Sequence, residues 1–81
     1  MNITVLYFAS IREKLGKRSE DITVQEGDSL KEVMEILTIR YEFIAEMDKS
    51  LMVAVNRAYC DRDFILSDGD EIALIPPVSG G

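Results

Sequence analysis

The chain predicts an α+β fold, in which one long helix covers one face of a small mixed sheet. Three observations carry this expectation. Residues 2–8 and 19–25 are rich in β-branched and aromatic side chains and read as a hairpin-like pair of strands. Leu30, Val33, Met34, Leu37 and Tyr41 then recur at i, i+3, i+4, i+7 and i+11, which is one face of an α-helix. Further strand-like runs follow at residues 51–56 and 71–75. A single helix can bury only one face of the sheet, so the other face is left open.

Each element has its own local warrant. The first strand, Asn-Ile-Thr-Val-Leu-Tyr-Phe, ends at Phe8. Ser10-Ile-Arg-Glu13 has the spacing of a capping box and predicts a helical turn over residues 10–15, which Gly16 stops. Ile22 and Val24 alternate in the second strand, and Gly27-Asp28-Ser29 ends it. Ser29-Leu-Lys-Glu32 is a second capping box, opening the main helix that runs to about residue 41. Residues 42–49 read as a connection of mixed character. A turn at Asn56-Arg57 separates the third strand from a short fourth at residues 58–60. Ser67-Asp68-Gly69-Asp70 is a turn, so Asp68 and Asp70 are read as turn formers and not as metal ligands. The last strand ends before Pro76, which has no N–H to give a ladder. This order is that of the β-grasp, or ubiquitin-like, fold, with the first and last strands adjacent at the centre. The expected division is a domain over residues 1–75 and an extended tail over residues 76–81.

Composition narrows the function. At 81 residues the chain buries only roughly 60–65% of its unfolded surface and has no room for a deep active site of its own. The formal charge of −6 argues against nucleic acid and anionic membranes and favours a protein partner with a basic docking surface. There is no histidine and one cysteine, Cys60, so no zinc or iron site and no disulfide is expected. Cys60 reads as a small buried apolar residue. Glu20-Asp21 reads as the solvated start of a strand, and the methionines as fillers. No apolar run approaches a membrane span and no signal segment precedes the first strand, so the expected location is cytoplasmic.

The remaining feature is the ending Pro76-Pro-Val-Ser-Gly-Gly81. Gly80 and Gly81 close no turn and cap no helix. An end without side chains can thread a narrow opening, and its reactive group is its own carboxylate. Pro76-Pro77 favours a stiff extended stem. Fully extended, residues 76–81 would reach roughly 20 Å. Val78 can dock against apolar walls. A flexible Gly-Gly tail is therefore expected to deliver Gly81 to chemistry carried out elsewhere.

Asp68-Gly-Asp-Glu-Ile-Ala-Leu-Ile-Pro-Pro-Val-Ser-Gly-Gly81 closely resembles the end of the small, sulfur-carrying subunit family of molybdopterin synthase. Val5-Leu-Tyr-Phe-Ala-Ser-Ile-Arg-Glu13 resembles that family's opening, and Ala54-Val-Asn56 its third strand. The resemblance covers essentially the whole chain. Ser79 stands where the family has Thr, and Tyr7 and Ile75 where it has Phe. The resemblance implies that an ATP-using, E1-like adenylyltransferase forms an acyl-adenylate at Gly81. A sulfur donor protein would convert it to a thiocarboxylate, or 1-thioglycine. The tail would then enter the large catalytic subunit, in an expected heterotetramer, and give its sulfur to cyclic pyranopterin monophosphate to build the molybdopterin dithiolene. On this reading the chain has no catalytic site and no permanently bound cofactor. It lacks a phosphate-binding glycine loop and a histidine base, which agrees with that division of labour.

The docking surface follows from alternation. If Ile3, Val5, Ile72 and Leu74 face the helix, then Leu6, Phe8 and Ile75 lie on the open face beside the tail, with Arg12 as a charged rim contact. Three rivals share the pattern: a sulfur carrier for thiamine thiazole synthesis, a ubiquitin-like modifier joined to lysines, and a passive ubiquitin-like interaction module.

Overall fold

The computed structural model describes residues 1–77. The elements are β1 (Asn2–Tyr7), α1 (Ala9–Leu15), β2 (Ser19–Thr23), α2 (Leu30–Arg40), α3 (Glu42–Met47), a 3₁₀ turn (Asp48–Ser50), β3 (Met52–Val55), β4 (Ala58–Tyr59) and β5 (Glu71–Ile75). The strands form one sheet in the order β2-β1-β5-β3-β4. β1 and β5 run parallel at its centre, with Thr4 opposite Glu71 and Tyr7 opposite Leu74. The other pairings are antiparallel. This is the β-grasp arrangement expected from the order of elements.

The core lies between the sheet and the helices. Ile3, Val5, Ile72 and Leu74 are fully buried on the sheet side. Leu30, Val33, Met34 and Leu37 meet them from α2, with Ile11 and Ile44 closing the ends. α2 forms where expected because its apolar face is continuous and its start is capped. The Glu32 carboxylate accepts the Ser29 backbone N–H at 2.6 Å, and also the Ser29 hydroxyl. Those two donors hold the Glu32 carboxyl below its ordinary range.

Two local expectations are overturned. Ser10 does not cap α1. Phe8 is its N-cap, still extended at φ −125° and ψ 155°, and it makes no side-chain cap bond. Ala9 turns the chain with a left-handed φ of 50°, so the helix begins before the hydroxyl can serve. Residues 42–49 are not an irregular connection but α3 and a 3₁₀ turn. Ile44 is fully buried there, and its packing supplies what a six-residue helix lacks in its own cooperativity.

Glu20 is also not a solvated strand start. Its carboxylate accepts the hydroxyls of Tyr7 at 2.5 Å and Tyr41 at 2.9 Å. The Arg40 guanidinium at 2.8 Å and the Lys17 ammonium at 3.1 Å complete the set. Tyr7 and Tyr41 meet edge to face, with ring centroids 6.5 Å apart. The cluster ties β1, β2 and the C-terminal end of α2 together at one end of the core. Burial pushes the Glu20 carboxyl up, but the bonds from Tyr7, Tyr41 and Lys17 outweigh it and hold the group down at about 2. Burial, reinforced by Glu20, pushes the Tyr7 phenol well up.

Asn56 and Arg57 turn β3 into β4 with φ of 50° and 73°. Two successive positive φ values are the geometry of a type I′ hairpin turn, which favours Asn-Gly. Asn56 earns its place further: it donates to the buried Asp70 at 2.8 Å and accepts the Glu71 N–H at 3.0 Å. Arg57 carries the strain without such bonds among the described residues.

Two outcomes follow. Arg57→Gly should raise unfolding free energy by about 1 kcal/mol in urea titration, because glycine removes the left-handed penalty. Glu20 has a folded pKa below its unfolded value of 4.5, so the stability it contributes is present above that pH and is lost as pH falls through about 2. Glu20→Gln should lower stability at neutral pH and flatten the decline below pH 4.5, read from denaturant midpoints across that range.

Candidate functional site

The open face of the sheet can be built row by row from the strand registers. One row runs Ser19, Leu6, Ala73, Ala54, Tyr59 across all five strands. The next row toward the C-terminal end of β5 holds Ile75 and Met52. Phe8 follows Tyr7 in extended backbone and so points away from the core that Tyr7 enters. The row toward the other end is polar: Asp21, Thr4 and Glu71. One part of this face is therefore apolar and the remainder is not.

The expected patch residues fall in the apolar part. Leu6 and Ile75 are half-buried, and Phe8 is 40% exposed. Arg12 is exposed on α1; its N–H points back to the Phe8 carbonyl at 3.4 Å, which sets it one turn beyond Phe8. The structure adds members that sequence reasoning missed. Met52 is 49% exposed and Tyr59 64% exposed, beyond the neighbours Ala54 and Ala73. The alternation Met52-Val53-Ala54-Val55 carried that signal, since Val53 and Val55 enter the core cluster, which puts Met52 and the small, buried Ala54 on the other face.

The parallel pairing fixes where the C-terminal segment leaves. β1 and β5 point the same way, so both end at one edge of the domain. Phe8 and Ile75 are the next residues after the paired Tyr7 and Leu74. Pro76 is buried and Pro77 exposed. The expected tail residues Val78, Ser79, Gly80 and Gly81 lie outside the described residues.

Other candidates do not gather at this edge. Cys60 is half-buried beside the core, and burial pushes its thiol up, away from the thiolate form that sulfur chemistry needs. Asp68 accepts the Asn2 N–H at 2.7 Å, and Asp70 accepts the Ser67 N–H at 2.7 Å, so both serve the turn before β5. Among the described residues no cluster of His, Cys, Asp or Glu is placed to hold a metal ion, and no helix is long and apolar enough to cross a membrane.

Comparison with known proteins fits this geometry. The family model described as the ThiS family matches residues 5–81. The molybdopterin synthase sulfur carrier subunit of Homo sapiens is 37% identical, over 98% of this chain and 93% of that protein. Among solved structures, a molybdopterin converting factor subunit 1 from Pyrococcus furiosus superposes with a TM-score of 0.85 at 31% identity, covering 96% of this chain and 99% of that one. A chain of the Helicobacter pylori complex of subunits 1 and 2 of molybdopterin-converting factor superposes with a TM-score of 0.73 at 29% identity, covering all of both chains. A β-grasp domain with an apolar open face, matched from β1 to Gly81, thus places this chain in the ThiS family, among relatives that include the sulfur carrier subunits of molybdopterin synthase.

Proposed function

We propose that this chain is the sulfur-carrying subunit of a molybdopterin synthase, with the Gly81 carboxyl carbon as the site of sulfur loading. The observation that carries the reading is the similarity, at 37% and 36% identity over 98% of this chain, to sulfur carrier subunits from organisms as distant as human and Escherichia coli. The apolar open face beside the end of β5 supports it, because a carrier must be gripped next to the tail it presents.

The chemistry sets the division of labour. A carboxylate resists nucleophiles at neutral pH. Transfer of the Gly81 carboxylate onto the α-phosphate of ATP expels pyrophosphate and leaves an acyl-adenylate, whose AMP is a good leaving group. The terminal sulfur of a donor persulfide attacks the acyl carbon and expels AMP, leaving an acyl disulfide. A second donor thiol then cleaves its S–S bond, releasing the thiocarboxylate and a donor disulfide. The activating enzyme is of the E1-like adenylyltransferase kind, and ATP is its substrate. The large catalytic subunit accepts the tail. The thiocarboxylate sulfur forms a C–S bond to cyclic pyranopterin monophosphate, and water then cleaves the acyl–sulfur bond and returns the Gly81 carboxylate. Gly80 gives clearance around the reacting carbon. Pro76, Pro77, Val78 and Ser79 form the stem, and Leu6, Phe8, Arg12 and Ile75, extended by Met52 and Tyr59, form the grip. Such a carrier works in the cytoplasm, where its thiocarboxylate stays reduced.

The direct test is the intact mass after co-expression with an E1-like activating enzyme and a sulfur donor. One oxygen exchanged for sulfur at Gly81 is expected. An unmodified mass beside a demonstrably active enzyme would sink the reading, and a lysine adduct would indicate a protein modifier. One residue appended after Gly81 should abolish the mass change, since the glycyl carboxyl is then an amide. Phe8→Asp and Ile75→Asp should each weaken binding of the large subunit by at least about 30-fold, the scale of an interface hot spot, with the far-UV spectrum unchanged. Calorimetric titration checks this; unaltered affinity would remove these residues from the interface.

A further inference from the structure

The net charge of −6 hides a reversal of sign at the edge where β5 ends. Residues 8–18 contain Arg12, Lys14, Lys17 and Arg18 against a single acid, Glu13, a net charge of +3. Their place in the fold is set by three contacts. The Arg18 carbonyl accepts the Tyr7 N–H at 2.8 Å, which pins Arg18 to the last residue of β1. Lys14 and Lys17 lie over the rings of Phe43 and Tyr41, at 5.3 and 5.7 Å from the centroids, where α2 meets α3. Arg40 is held at the same corner by Glu20. The cations therefore curve around the C-terminal ends of β1 and α2, and Leu74 is paired with Tyr7 beside them.

The far end of the sheet has the opposite character. Asp68 is bonded to Asn2 at the start of β1, Asp70 and Glu71 open β5, and Asp28 accepts the Leu66 N–H through its carbonyl nearby. Exposed Glu26 follows the end of β2, where Thr23 is paired with Asn2. The domain is thus polarised along its strands. Lys17 is committed to Glu20, whereas Arg12, Lys14 and Arg18 are exposed and form no ion pair among the described residues. A polarised body in an opposing field is turned before contact, which raises productive encounters by roughly 10–10³-fold.

We propose that Arg12, Lys14 and Arg18 form a steering arc for a protein partner that carries an acidic rim around the opening the tail enters. This rests on the carrier reading above. The arc complements the apolar patch: the charges orient the domain at a distance, and Leu6, Phe8 and Ile75 hold it once docked. The chain outside residues 8–18 carries a net charge of −9, so the same rim disfavours approach by the rest of the surface and favours the tail-first one.

The test is stopped-flow association of the full chain with the large subunit of its molybdopterin synthase, over a series of ionic strengths. The double variant Lys14→Glu with Arg18→Glu should slow association by about tenfold or more at low salt. The difference should vanish near 1 M salt, where screening acts within about 3 Å. Lys14→Gln with Arg18→Gln should fall between that variant and the parent. Glu26→Lys with Glu71→Lys, beside the start of β1, should not slow association. Equal rates for all variants at low salt, or acceleration by the glutamates, would overturn the arc while leaving the carrier reading intact. Absence of any association by the parent chain would overturn both.

Discussion

Everything at the functional edge depends on the parallel pairing of β1 with β5. Thr4 to Tyr7 and Glu71 to Leu74 lie side by side, although most of the chain separates them in sequence. Parallel strands end at the same edge. The residue after β1 and the last residue of β5 are therefore brought together, which places Phe8 beside Ile75 and Pro76. An antiparallel centre would send the C-terminal segment out at the end lined by Asp68 and Asp70. The direction of one ladder thus decides which surface accompanies the tail.

The two faces of that ladder have different tasks, and alternation separates them cleanly. Ile3, Val5, Ile72 and Leu74 are fully buried under the helices. Leu6, Ala73 and Ile75, one residue out of phase, remain partly open. The side chains that stabilise the domain are consequently not those left accessible on the open face. A change at the open face can alter recognition with little effect on the core, because a substitution there neither opens a cavity nor strands a buried polar group. The Tyr7–Glu20–Tyr41 cluster closes the core at this same edge and keeps the helical corner fixed relative to β1.

Much of this was legible in the sequence, for physical reasons particular to each element. The α2 face repeats over eleven residues and carries a capping box, so its signal accumulates. The strand faces follow from period two, and Asn56 marks the turn into β4. α3 was missed because six residues give too short a window for periodicity, and its stability comes from burying Ile44. The cap at Ser10 was misplaced because Ala9 takes a left-handed turn that no local residue type announces. Glu20 looked solvated because its partners, Tyr7, Arg40 and Tyr41, are distant in sequence. The basic edge was invisible for the same reason that net charge is a poor guide: a sum over the chain discards position, and only the fold returns it.

The central place of β5 also bears on the order in which the chain is made. A ribosome releases β1 first and β5 last, yet the two are neighbours. The sheet remains two separate pieces, β1 with β2 and β3 with β4, until the final strand arrives between them. Closing contacts of such long sequence separation is the slow part of folding. A nascent chain lacking β5 therefore has neither a finished core nor the segment that follows it. The open face and the segment that follows β5 become available together, at the moment the last strand enters the sheet.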